Sequence, residues 1–409
     1  MEWGVHLIAG SRREGEAWSE QKGHQMQTRR TWKRTGYLPL WLCSIVAASL
    51  ATGALAQDAE TSSALLKAPV EHQKAGTDKK VNFVAMPIPI SNPELGNGLA
   101  VAAMALYSPG KSKRPWTTGV GGFYSDTQSW AVAAFQKAYI DDDKFRVTAG
   151  VGTGVFNVDF YGIGQAAGDA GRSIPIEQTS NFAGFEGLMR LAPNLYGGIM
   201  FRYIGMKTTI QASEVQLPVP LPDFELDSAS ALIGIAAEYD TRDTEYGPRK
   251  GTYATFQYLY GSEALGSDFE YPRMAVAVNG YHGLSEKAIL AWRVSVCASG
   301  DDAPFYDLCS YGQNNDLRGY VSGQYRDHFM VATQVEYRRQ LYKRWGVVAF
   351  AGIGEVAPGV NDLSSENLLP AAGLGLRFAA SQKYRVNLSV DYAVGKDSDA
   401  LYFYIGEAF

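Results

Sequence analysis

From Asn82 onward the chain repeats one unit. About ten residues alternate apolar with polar or small side chains, and a turn follows. Leu99, Val101, Ala103, Ala105 and Tyr107 alternate with Gly98, Ala100, Ala102, Met104 and Leu106. Val331, Thr333, Val335 and Tyr337 alternate with Ala332, Gln334, Glu336 and Arg338. Val386, Leu388, Val390 and Tyr392 alternate with Arg385, Asn387, Ser389 and Asp391. Successive side chains of a strand face opposite sides, so each segment predicts a strand with one apolar and one polar face. Counting such segments predicts sixteen strands: 82–90, 97–108, 115–125, 128–139, 143–155, 178–191, 194–210, 227–240, 250–262, 268–282, 286–299, 328–342, 345–356, 370–381, 384–395 and 400–409.

A soluble sandwich alternates too, so further features decide the class. Full charges recur at mid-strand on the polar face: Glu186, Arg190, Arg202, Glu238, Arg293, Glu336, Arg377 and Asp391. A dry sandwich core does not accept these, whereas a wet barrel lumen does. Aromatics gather at strand ends, as in Tyr107, Tyr124, Trp130, Tyr139, Tyr203, Tyr239, Tyr258 and Tyr260. That suits the interface girdles of a membrane barrel. The final segment puts Leu401, Phe403, Ile405 and Phe409 on one face, a pattern with which many bacterial outer-membrane barrels end. The connections sort by parity. One end has short turns, such as Pro193-Asn194 and Lys343-Arg344, and the other has 156–177, 211–226, 300–327 and 357–369. Short periplasmic turns and long outer loops are the asymmetry of such barrels. The expected fold is therefore an all-β transmembrane antiparallel barrel over residues 82–409.

The start of the chain reads as a secretory leader over residues 1–56. Arg29, Arg30, Lys33 and Arg34 precede a mostly apolar run, Leu38 to Leu50, and Ala54-Leu55-Ala56 forms the cleavage pattern. Met26 would give this leader an ordinary length. Gln57 to Val81 reads as a flexible periplasmic lead-in. Without residues 1–56 the chain has 30 basic and 38 acidic residues, a balance that does not suggest nucleic acid. Cys297 and Cys309, with eleven residues between them, are either a disulfide at the base of the loop 300–327 or two inert thiols. Two cysteines without nearby histidines do not complete a metal site. His72, His282 and His328 pair with no Gly-x-Ser-x-Gly elbow and with no second histidine at metal spacing. Gly162-Ile163-Gly164 reads as strand kinks, and Asp141 to Asp143 as a turn without calcium-loop ligands. Neither an enzyme nor a cofactor-binding protein is expected.

The loop 300–327 carries Leu317-Arg318-Gly319-Tyr320. Together with Tyr239-Asp240-Thr241-Arg242-Asp243 and Gly373-Leu374-Gly375-Leu376-Arg377-Phe378, this tetrad resembles the BamA/TamA-type outer-membrane proteins, the bacterial surface antigens. The resemblance covers roughly residues 82–409. It implies a sixteen-stranded barrel whose sixth outer loop folds into the lumen, with the tetrad at its tip. It implies that Arg318 meets acids on the inner face of the next two strands. Glu336 stands at the first place, while Phe350-Ala351-Gly352-Ile353-Gly354 puts glycine where the family has aspartate. It implies a weak seam between the first and last strands. The family's periplasmic domains have no counterpart between Gln57 and Val81, so a barrel-only member is expected. The implied function is outer-membrane protein assembly or translocation, among outer-membrane lipids, with client proteins or a separate periplasmic partner. A passive or gated pore and a structural surface antigen without transport are the alternatives.

Overall fold

The computed structural model describes residues 81–109, 114–210, 227–245, 247–312, 316–381 and 385–409. The leader over 1–56 and the lead-in up to residue 80 lie outside the described residues.

Among the described residues, eighteen strands form in chain order. The first eleven are β1 (Val81–Asn92), β2 (Gly96–Tyr107), β3 (Trp116–Ser125), β4 (Trp130–Ile140), β5 (Phe145–Phe160), β6 (Ile174–Ala192), β7 (Leu195–Ile210), β8 (Asp227–Asp240), β9 (Gly251–Gly261), β10 (Pro272–Ser285) and β11 (Ala288–Ser299). Two two-residue strands, β12 (Cys309–Ser310) and β13 (Arg326–Asp327), pair with each other inside the loop. The last five are β14 (Phe329–Tyr342), β15 (Trp345–Ala357), β16 (Leu369–Ser381), β17 (Val386–Gly395) and β18 (Ser398–Ile405). One short helix, α1 (Gln165–Ala170), lies between β5 and β6. Every strand other than β12 and β13 joins one closed antiparallel barrel of sixteen strands, in which β11 pairs with β14 and β18 with β1.

The period-two pattern explains the two faces. On β2, Leu99 and Val101 are exposed, while Ala100, Ala102, Met104 and Leu106 are buried. A closed barrel leaves no edge to hydrogen-bond with lipid, so apolar side chains can face outward and polar ones inward. No described helix is long and apolar enough to cross a membrane; crossing falls to the strands.

Several expectations need correcting. β5 and β6 run past residues 155 and 178, to Phe160 and back to Ile174, so this hairpin rises above β4, while β7 follows it up to Ile210 opposite Ile176. Gly162 and Gly164 are not strand kinks; they take positive φ in the connection that leads into α1. Tyr139 is buried, 4 % exposed, and belongs to no outer girdle. β18 ends at Ile405 instead of continuing to 409, because Gly406 turns the backbone with φ of +95°. Phe409 therefore does not share the outer face with Phe403. Its ring lies under the Arg338 guanidinium, 5.0 Å away, and 6.5 Å from Tyr281. The side chain of Ile405 lies outside the described residues.

The seam is short. Among the described residues, β1 and β18 meet at one register position, Ser91 opposite Phe403. Pro87 and Pro89 stand in β1, and proline cannot donate to a ladder.

Candidate functional site

The segment between β11 and β14 carries the densest set of buried charges. Leu317, Arg318 and Tyr320 are fully buried. Gly319 adopts φ of +120°, a backbone shape that side chains resist. A Cβ there would also press on the backbone of Val394 and Gly395, at 3.1–3.2 Å. The tip can therefore settle on β17 only through glycine. Its amide donates to the Tyr402 hydroxyl at 3.0 Å, and its carbonyl accepts from Ser398 at 2.6 Å. Tyr320 donates its hydroxyl proton to the Pro370 carbonyl at 2.6 Å and accepts from the Lys396 amide at 3.0 Å.

Arg318 pairs with Glu336 on β14, the partner expected from the sequence. It also pairs with Asp391 on β17, which the sequence reading had set only among the lumenal charges. Tyr404 and Gln334 accept from the same guanidinium at 3.0 and 3.2 Å, and Phe350 lies beneath it at 3.6 Å. Each acid has a second arginine: Arg338 donates to Glu336 at 2.6 Å, and Arg377 pairs with Asp391. Glu407 closes the circuit, 2.8 Å from Arg377 and 3.8 Å from Arg338. Arg318, Glu336, Arg338, Glu407, Arg377 and Asp391 thus form a ring of six alternating charges with no net charge. Burying ions is costly unless each one is paired. The ring meets that condition for every member.

Inner-face glycines make room for the loop. A Cβ on Gly352 would stand 2.5 Å from Leu317 Cδ1 and 2.4 Å from the Thr333 carbonyl. A Cβ on Gly354 would stand 2.3 Å from the Tyr311 ring. The glycine at 352 is thus the seat of Leu317, and the acid absent there has its counterpart in Asp391.

Two further anchors escaped the sequence reading. Asp307 is fully buried, paired with Arg202 of β7 and with Arg273 of β10 at 3.1 Å, and it accepts from Tyr271 at 2.5 Å. Asp316 meets Arg293 of β11 at 3.2 Å. Arg202 and Arg293 face inward by parity, as the sequence predicts; the inward place of Arg273 and the loop acid each arginine meets come from the fold alone. Cys297 and Cys309 are joined by a disulfide that ties β12 to β11. The helix α1 clips the same loop. Gln324 donates to the Gly168 carbonyl at 3.1 Å, and Tyr325 and Lys396 reach Asp169 at 3.2 and 2.7 Å. Burial alone would raise the Asp169 pKa. The hydrogen bond and charge of Lys396, with Tyr325, override this and hold the carboxyl below its ordinary value.

The Omp85 superfamily domain matches residues 113–409. The chain belongs to the Omp85 superfamily. Its barrel resembles that of BamA from Haemophilus ducreyi lacking POTRA domains 1–3, with TM-score 0.55 at 15 % identity, over 80 % of this chain and 70 % of that one. It also resembles CdiB from Acinetobacter baumannii, with TM-score 0.54 at 14 % identity, over 83 % of this chain and 64 % of that one. CdiB from Escherichia coli gives TM-score 0.54 at 11 % identity, over 81 % and 63 %. The chain spans less than two thirds of either CdiB chain. No curated protein sequence matches it significantly. As an Omp85 barrel it is a bacterial outer-membrane protein.

Proposed function

We propose that this Omp85 barrel takes part in protein insertion or translocation at the outer membrane, with segment 300–327 as a resident lumenal latch. The observation that carries this reading is the six-charge ring. A passive pore gains nothing from tying a loop to β14, β17 and β18 at once, whereas a barrel that must hold and release one conformation does. The short β1–β18 seam supports the same reading, since a lateral opening needs a weak pair of strands. Client proteins and a separate periplasmic protein are the partners this role requires, and outer-membrane lipids are its surroundings.

Depletion in the native host tests the role. Outer-membrane protein levels fall if the barrel serves assembly; unchanged levels return the structural surface-antigen reading. Planar-bilayer conductance separates latch from pore. The intact protein is expected to conduct little, and deletion of residues 303–325 is expected to open a large steady conductance. Large steady conductance in the intact protein would sink the latch.

A further inference from the structure

At the end of the barrel that carries the connections β6–β7, β10–β11 and β14–β15, below the ring, a cavity of about 1000 Å³ opens to solvent. Short turns mark the periplasmic end of such barrels. Eight lysines and arginines and three acids line this vestibule, a formal surplus of five positive charges. The cations of the rim come from four separate turns: Arg249 and Lys250 before β9, Lys287 before β11, Arg344 before β15 and Arg385 before β17. Asp243 is already held by Arg385 at 2.8 Å. The floor contains Arg338, whose Nη1 is buried without a hydrogen-bond partner.

We propose that this vestibule is a docking site for an acidic polypeptide segment of a periplasmic partner or client. The floor already displays the recognition chemistry. Glu407 lies there with its carboxylate on Arg377 at 2.8 Å and on the Asn387 amide at 2.6 Å. A carboxylate side chain is thus the group that Arg377 holds there. The spread of the rim cations favours a run of carboxylates over a single phosphate, which would use one convergent cluster of donors. The position inside the mouth, ringed by turns, favours a polypeptide over a lipid headgroup on the outer wall. A basic concave mouth also speeds capture of an acidic chain by steering. That the occupant is a partner or client rests on the insertion or translocation reading; that the mouth binds an acidic peptide does not.

The test uses the full-length protein in neutral detergent with fluorescein-labelled octaglutamate, read by anisotropy. Binding is expected at low salt, with affinity falling at least tenfold between 50 and 300 mM salt, since screening acts on exposed charge. Lys287→Glu with Arg344→Glu is expected to weaken binding at least tenfold, while the heat-modifiability of the barrel stays unchanged. If that double variant does not fold, Lys287→Ala and Arg344→Ala singly are expected to lose about threefold each. Equal binding of labelled octaglutamine, or full affinity in the charge-reversed variant, overturns the proposal. So does displacement by equimolar pyrophosphate, which would mark a small-anion site. Displacement by phosphatidylglycerol vesicles would assign the vestibule to lipid headgroups and overturn it too.

Discussion

Arg318→Ala tests the ring most directly. The substitution removes the member that joins the loop to β14 and β17. Glu336 and Asp391 remain, each still paired with one arginine, Arg338 and Arg377. The ring is left with one excess negative charge on the fully buried Glu336 and Asp391, while its Arg338, Arg377 and Glu407 side borders the solvent-open vestibule. Breaking a buried pair by deleting one partner costs about 3–5 kcal/mol. The surviving partners place this case at the low end, about 3 kcal/mol. Loss of the Phe350 stacking adds about 1 kcal/mol. Arg318→Lys keeps the charge but not the fork that reaches both acids, so it should recover less than half of the loss. The assay is the unfolding midpoint on a heat-modifiability gel, followed by urea unfolding in detergent. A double-mutant cycle of Arg318→Ala with Glu336→Ala should show a coupling of about 1–3 kcal/mol. An unchanged midpoint for Arg318→Ala, or strict additivity in the cycle, would refute the ring.

Gly352→Asp would place the family's acid where Leu317 now sits; the Cβ meets the Thr333 carbonyl at 2.4 Å, so a loss of about 1–3 kcal/mol is expected on the same gel. A wild-type midpoint there would show that the loop does not use this seat. Asp307→Asn should release the base of the loop and speed protease cleavage within 300–327, because Arg202 and Arg273 lose their shared acid. Reducing Cys297–Cys309 removes a twelve-residue tether and should cost about 3 kcal/mol, read as a lower urea midpoint in dithiothreitol. The α1 clip should be pH-dependent: Asp169 is held below its ordinary value of 3.8, so its contribution is present above that pH and is lost as pH falls through the depressed value. Hydrogen exchange at Gly168 and Tyr325 should rise only once pH falls through that depressed value, under 3.8, in the wild type, and an Asp169→Asn variant should show no such step.

The sequence by itself determined the strand number and the two faces, while Arg318 stands out only through the resemblance of its tetrad to the family's. Alternation is a local property: each residue's side is set by its parity, and sixteen such segments with turns between them need no long-range information. The match of Arg318 with Glu336 comes from the family resemblance, which implies an acid on the inner face of the next barrel strand. What only the tertiary structure decided is which inward charges meet. Asp391 is 73 residues from Arg318 and Arg202 is 105 from Asp307, and parity alone pairs neither. Only the folded sheet sets β17 three strands from β14 with both inner faces turned to the loop tip, so that Arg318 meets Glu336 and Asp391 together. The same holds for Phe409: alternation sent it outward with Phe403, but a single glycine at 406 ends the strand and folds Glu407 onto the ring. A one-residue turn reverses a face, and the charge waiting on the inner wall determines where the tail goes.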